Sequence, residues 1–276
     1  MADPLAAVAG ALRDLGKDTT RVGRLCIEVR EDLKEMRRFY APPNQFDGQK
    51  VKLAVEETRH LRDVLRMKSG DEAQVFDGNG REFLAEVESI GKREALLKVI
   101  GEIDPPAPES DLDLTIAACV FKNDKFDLVV QKAVELGVAR LAPMVSFRSE
   151  VNLQATAKRT ERWRKIALEA TKQCERAKVM LVDEPLPFAD AIGGMGSGSE
   201  LLLMFSEKDG KGIPEKPLEK KITALVGPKG GWEDSEIELA QTRGFLPVKL
   251  GRRIMRAETA AITFAALLQH RFGDLN

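Results

Sequence analysis

A chain of 276 residues is long enough for one large domain or two modest ones, and 43 Lys+Arg against 44 Asp+Glu leave a net charge of −1 that names no partner. Three scattered cysteines (Cys26, Cys119, Cys174) and two histidines exclude a disulfide framework and argue against zinc, so no metal is expected. No apolar run reaches the ~18–20 residues of a membrane span, and no basic region precedes the short apolar stretch near the start. A cytoplasmic protein without membrane attachment is the expectation.

Residues 1–35 stand apart, with two weakly amphipathic helices (2–15 and 27–35) around a polar stretch. They read as a loosely ordered extension, or as an arm that contacts a second copy or RNA. From MRRFYAPP at Met36 the grammar changes to short strands and turns. KVKLAV (50–55) alternates, EAQVFDGNGREFLAEVESIG (72–91) folds back around Asp77-Gly78-Asn79-Gly80, and EALLKVIGEI (94–103) follows. Between the first two lies a helix-like piece, EETRHLRDVLRMKSGD, that stops at Gly70. This pattern predicts a small β-barrel-like domain over residues 36–104.

Residues 105–111, within DPPAPESD, are a linker by composition. Over residues 112–276 strands alternate with helices. The strands are LDLTIAACV (112–120), VARLAPMVS (138–146), VMLVD, ELLLMF (200–205), KITALV (221–226) and FLPVKL (245–250). Helices are expected over 124–137, 155–178, 233–244 and 257–272. That order predicts an α/β layer structure with a largely parallel sheet.

Two loops in this region carry the chemistry. GPKGG (227–231) follows an apolar strand and precedes an acidic helix start, but it lacks the GK[ST] ending of a triphosphate cradle. KLGRRIMRAETAA (249–261) repeats the plan, with Gly251 after a strand and Glu258 and Thr259 in the first helical turn. Loops at the C-terminal ends of neighbouring strands face one crevice. They offer main-chain donors and acceptors, apolar Leu250, Ile254 and Met255, and no dedicated acid for a ribose. Lys229, Arg252, Arg253 and Arg256 fit a polyanion docked over the bound ligand.

Basic residues recur elsewhere. Arg59, Arg62 and Arg66 share a helix face by their spacing, and Arg37 and Arg38 adjoin Phe39 and Tyr40; these five form a candidate RNA-contact set. Lys158, Arg159, Arg162, Arg164, Lys165 and Lys172 stud the long helix. The plain reading of each patch is a solvated face. GGMGSGS (193–199) precedes its strand and is a loop. Without GxSxG or a Cys–His pairing, nucleophilic catalysis has no support, so a cofactor is expected to carry the activation.

RRFYAPP, HLRDVLRMKSGDEAQVFDGNGREF, QKAVELGV, FRSEVNL, IALEATKQCER, LVGPKGGWEDSEI and LGRRIMRAETAAI…RFGDL occur in that order from Met36 to the C-terminus. They resemble the RsmE family, SPOUT-class methyltransferases that methylate N3 of one uridine in 16S rRNA of the small ribosomal subunit. The resemblance implies a C-terminal SPOUT α/β domain with a trefoil knot, preceded by a small PUA-like β-barrel domain that binds RNA. It also implies a homodimer with S-adenosyl-L-methionine held in the knot. On this chain it places the cofactor against Leu203 and Phe205, Gly227, Pro228, Gly230 and Gly231, then Leu250, Gly251, Ile254, Met255, Arg256, Thr259 and Ala260. Arg253 and Arg256 are expected to stabilise charge on the uracil oxygens. Glu258 is either the base or an acid of the helix N-cap.

Three positions depart from the family. Lys229 stands where Glu is common, Arg252 where Pro is, and Met255 where Leu is. Competing readings are a SPOUT methyltransferase acting on another RNA (ribose 2′-O or tRNA) and a non-catalytic RNA-binding ribosome-assembly factor. A nucleotide hydrolase is the weaker third.

Overall fold

A computed structural model of the chain describes residues 36–275 except 123, 197, 209 and 216–219. The expected extension over residues 1–35, with Cys26, lies outside the described residues. The described chain divides into two compact units. One runs up to Val75 and adds Phe83–Ile103; the other comprises Phe76–Glu82 and the chain from Asp104 onward.

The first unit is a six-stranded sheet of β1 (Arg38–Tyr40), β2 (Phe46–Asp47), β3 (Lys50–Leu53), β4 (Glu72–Phe76), β5 (Glu82–Ile90) and β6 (Ala95–Ile103), in the order β1-β4-β5-β6-β3-β2. The alternation of KVKL buries Val51 and Leu53 and exposes both lysines, because successive side chains of a strand point to opposite faces. Phe46 on β2 lies 5.1 Å from the ring of Phe83 on β5. In a flat sheet those strands would stand three spacings, ~14 Å, apart. The sheet therefore curls around a core that includes Phe39, Leu53, Leu61, Val75, Val87 and Leu97.

One helix packs into this unit. α1 (Val55–Arg59) continues through His60–Val64 with a wider turn, in which Leu65 N donates to His60 O at 3.0 Å. Arg66 then takes a left-handed φ of 54° and ends the run. The expected face of Arg59, Arg62 and Arg66 is thereby cut short, since Arg66 lies past the helix.

The second unit carries a seven-stranded sheet of β7 (Asp113–Cys119), β8 (Arg140–Val145), β9 (Leu181–Val182), β10 (Leu186–Pro187), β11 (Leu201–Phe205), β12 (Lys221–Val226) and β13 (Leu246–Val248). Its order is β10-β8-β7-β12-β11-β13, with β9 also against β8, and the pairings are parallel. The helices are α2 (Lys125–Glu135), α3 (Leu153–Ala157), α4 (Thr160–Gln173), α5 (Phe188–Gly193), α6 (Asp234–Thr242) and α7 (Ala257–Phe272). The single helix expected over 155–178 is two, α3 and α4, and the Asn152 side chain caps the first by accepting from Ala155 N at 2.8 Å.

Central β7 is buried on both faces from Leu114 to Cys119, which explains why that stretch is apolar apart from Thr115. Leu114, Ile116 and Ala118 enter a core with residues of α2, α4 and α7; Ala117 and Cys119 enter another with residues of α5 and α6. Behind α4, buried Arg176 pairs with Glu109 at 2.6 Å and donates to Val134 O and Val138 O at 2.8 and 3.1 Å. These bonds tie the last turn of α2 to the segment that leads into β8.

The path around β13 sets up the site. β12 lies between β7 and β11, whereas β13 lies on the other side of β11. The connection from β11 to β12 runs past β13: Lys211 N donates to Pro247 O at 3.2 Å, and Lys249 N to Lys211 O at 2.9 Å. A β-carbon on Gly210 would stand 2.8 Å from Lys249 N and 2.9 Å from Pro247 O, so this approach requires glycine. Among the described residues no helix is long and apolar enough to cross a membrane.

Candidate active site

β11 and β12 end side by side, at Phe205 and Val226. The chain then turns through Gly227–Gly231, where Gly231 has φ +71°, and returns the Trp232 indole to the strand ends. Trp232 is 5% exposed; its Nε1 donates to Phe205 O at 2.9 Å. One side of its ring meets Gly227, where a β-carbon would stand 2.9 Å from Cε2. The ring of Phe188 lies 5.1 Å away.

A second segment braces the glycine loop. Arg148 Nη1 donates to Gly230 O at 3.1 Å, and its Nε donates to Glu233 Oε1 at 2.7 Å. Glu233 and Glu236 form a capping box at the start of α6. Glu236 also accepts from Phe147 N at 2.9 Å. The "FRSE" stretch after β8 therefore fixes the loop from outside.

These elements enclose a cleft of about 270 Å³, near the lower end of ligand-sized pockets (~300 Å³). Its walls are Phe205–Lys208 after β11, the Gly227–Trp232 turn, and Ile254–Ala257 with Ala260 at the start of α7. Of the residues singled out in the sequence, Phe205, Gly227, Pro228, Gly230, Gly231, Ile254, Met255, Arg256 and Ala260 line it, as does Lys229. Leu203, Leu250, Gly251 and Thr259 do not. Leu203 is two residues inside β11 and fully buried in the core, and partly buried Leu250 packs against that core. Gly251 is exposed, with φ +69°. Thr259 falls on the helix face turned away from the one that carries Ala257 and Ala260, and is exposed.

Sequence reasoning missed Arg148, Glu207, Lys208, Trp232 and Ile237. Trp232 adjoins the glycine loop and Glu207 stands two residues past an apolar strand, so both had local signals; Arg148 arrives from a distant segment. The lining suits a flat, hydrogen-bonding heterocycle joined to a hydroxylated sugar. Ile237, Ile254, Met255 and Ala260 supply apolar contact, the strand-end backbone supplies donors and acceptors, and Glu207 supplies the acid for hydroxyl groups that the sequence reading lacked.

Arg252 and Arg253 are exposed and outside the cleft lining, whereas Arg256 lines it from the N-cap position of α7. Glu258 is not the cap; it lies in the first turn and binds Lys125 Nζ at 2.7 Å. Burial pushes its carboxyl up, but the Lys125 hydrogen bond, its own backbone amide and the charges of Lys125 and Arg256 outweigh this and hold it below the ordinary carboxylate value. Lys229 is exposed and lies 3.8 Å from Glu150.

In the first unit Arg37, Arg59 and Arg66 are exposed and Arg38 is half-buried. Arg62 is engaged: it forks onto Asp63 at 2.7 and 2.8 Å and donates to Gly91 O and Lys92 O. Several cations of the long helix are likewise locally committed, with Arg162 on Asp127 at 2.6 Å and Arg164 on Glu161 at 2.6 Å.

A family model described as an RNA methyltransferase domain matches residues 108–269, and one described as an RNA methyltransferase PUA domain matches residues 53–100. The chain is 32% identical over 229 residues to ribosomal RNA small subunit methyltransferase E of Synechocystis sp., covering 81% of this chain and 74% of that one. It is 31% identical over 240 residues to the protein of the same name from Rickettsia conorii, covering 83% and 93%. Among solved structures, that of ribosomal RNA small subunit methyltransferase E from Neisseria gonorrhoeae bound to S-adenosyl methionine is similar with a TM-score of 0.79 and 34% identity. That match covers 88% of this chain and 100% of the other. The curled sheet, the parallel α/β unit and the cleft at its strand ends thus lie in a chain that belongs to the ribosomal RNA small subunit methyltransferase E family.

Proposed function

We propose that this chain transfers a methyl group from S-adenosyl-L-methionine to N3 of a specific uridine in 16S rRNA of the small ribosomal subunit. It does so in the cytoplasm as a homodimer, with a PUA-like domain over residues 36–104 on the RNA and a knotted SPOUT domain over residues 112–276 on the cofactor. The observation that carries this reading is the cleft at the ends of β11 and β12, where backbone groups, aliphatic walls and Glu207 match an adenosine. The passage of Gly210 and Lys211 against Pro247–Lys249 beside β13 supports the knot.

Bound in this cleft, S-adenosyl-L-methionine supplies an already activated methyl group, so the protein has chiefly to align donor and acceptor. Phe205, Gly227, Pro228, Gly230–Trp232, Ile254, Met255 and Ala257 would hold the donor. Uracil N3 becomes nucleophilic only when its proton leaves, and Arg256, at the lip of the cleft, holds the negative charge that develops on the uracil oxygens. Arg253 is a second cation of the same loop. Glu258, with its lowered proton affinity and its bond to Lys125, serves to position that lysine; the N3 proton passes to solvent.

The test is nucleoside mass spectrometry of 16S rRNA from unmethylated small subunits incubated with the protein and S-adenosylmethionine. Cofactor-dependent 3-methyluridine is the expected product. Another methylated nucleoside would keep the pocket and overturn the target, and no methylation beside an active control would point to a binding factor.

A further inference from the structure

We infer that a second cavity, adjoining the cofactor cleft, seats a backbone phosphate of the RNA substrate, with Lys122, Lys229 and Arg256 as its ligands. This rests on the RNA-modifying reading above. The cavity measures about 300 Å³ and shares Lys229, Arg256 and Ala257 with the cleft, so a group held in it adjoins whatever occupies the cleft.

Its charge is unbalanced. Lys122, Lys125, Lys229 and Arg256 face only two carboxylates, Glu150 and Glu258. Glu258 is occupied by Lys125 at 2.7 Å, and Glu150 holds Lys229 loosely at 3.8 Å. Lys122 carries no ion pair among the described residues. Clustered like charges repel, and an anion between them relieves the repulsion.

The backbone adds directed donors. The cavity opens onto the first turn of the sixteen-residue α7, whose N-cap Arg256 makes no side-chain capping bond. The first amides of a helix lack intrahelical partners and favour anions. With the Glu258 amide taken by its own carboxylate, the Ala257 amide, the weakly compensated Lys122 and Lys229, and Arg256 make a seat for a tetrahedral monoanion. RNA brings such a group within one nucleotide of any base it presents to the cleft. Lys229 acquires a function here: an acid at that position would oppose the phosphate, whereas a base attracts it.

A carboxylate, such as that of the cofactor's amino-acid end, has similar chemistry, and the experiment separates the two sources. Full-length Lys122→Ala and Lys229→Glu variants are compared with wild type in three measurements. These are S-adenosylmethionine affinity by calorimetry, KM and kcat for unmethylated small-subunit RNA, and equilibrium RNA binding from 50 to 200 mM salt. Lys122→Ala is expected to raise the RNA KM about five- to tenfold and to flatten the slope of log affinity against log salt by about one. Lys229→Glu is expected to do more, and Lys122→Ala, at a residue outside the cofactor cleft, is expected to leave cofactor affinity within about twofold of wild type.

Unchanged RNA affinity and slope in both variants overturn the inference. Weakened cofactor binding with intact RNA affinity overturns it too, and assigns the cavity to the cofactor carboxylate. A wild type that methylates nothing but loses RNA affinity on both substitutions overturns the methylation reading and keeps the phosphate seat.

Discussion

The indole of Trp232 lies against Gly227 so closely that a β-carbon there would stand 2.9 Å from Cε2 and 3.0 Å from Nε1. That contact keeps Nε1 on Phe205 O and joins the ends of β11 and β12. Gly227→Ala is expected to displace the ring, lower stability by about 1–3 kcal/mol and weaken cofactor binding about tenfold through the misplaced loop. Thermal denaturation and calorimetric titration check this. A variant with wild-type melting temperature and affinity would show that the indole can shift without cost.

Arg256 lines the cleft without an acid of its own in ion-pair contact among the described residues, and the proposed mechanism assigns it the charge that develops on the uracil. Arg256→Ala is expected to reduce kcat by about 10²–10³-fold, the scale of losing one preorganised donor, with cofactor affinity changed by less than about threefold. Equal losses in turnover and cofactor affinity would make Arg256 a cofactor ligand instead.

The Lys125–Glu258 bond makes stability depend on pH in a defined direction. The folded carboxyl binds its proton less readily than the ordinary value of 4.5. Its contribution is therefore complete above that value and is lost as pH falls through the lower, folded one. The melting temperature of wild type should exceed that of Glu258→Gln at neutral pH, and the gap should close as the pH is lowered below 4.5. A gap constant down to strongly acid pH would contradict the ion pair. Glu258→Gln should also keep kcat within about tenfold of wild type; a far larger loss at neutral pH would restore Glu258 as the base.

The five arginines of the first unit divide by their bonding. Combined Arg37→Ala, Arg59→Ala and Arg66→Ala should flatten the salt dependence of RNA binding by about two to three and leave the melting temperature close to wild type. Arg62→Ala should instead lower the melting temperature, because that side chain ties Asp63 to the carbonyls of Gly91 and Lys92. An unchanged salt slope in the triple variant would remove these residues from the RNA surface.

What could be read from the sequence was what depends on neighbours along the chain. LDLTIAACV (112–120) reads as a strand from its short, mostly apolar run, and α7 spans the residues its sequence pattern marks, Ala257–Phe272. The two glycine-bearing loops are recognisable because each follows a strand and opens a helix. The resemblance puts both Leu203 and Phe205 in the cofactor wall, but only Phe205, at the end of β11, reaches the cleft. Thr259 needed the phase of α7, which sequence spacing leaves open by a residue. Arg148 and Glu150 reach the site from the far side of β8, and Lys125 reaches Glu258 from another helix. No pattern within one loop records such meetings.

The chain has two tryptophans and one tyrosine. Tyr40 belongs to the first unit, whereas Trp163 and Trp232 both belong to the second. Trp163 is fully buried beside Phe126, with its Nε1 on Asp127, while Trp232 forms part of the cleft wall. Their emission reports on the second unit alone, and the sealed Trp163 supplies a steady background. A change in fluorescence when a ligand enters the cleft therefore belongs to Trp232, giving a binding signal that needs no label.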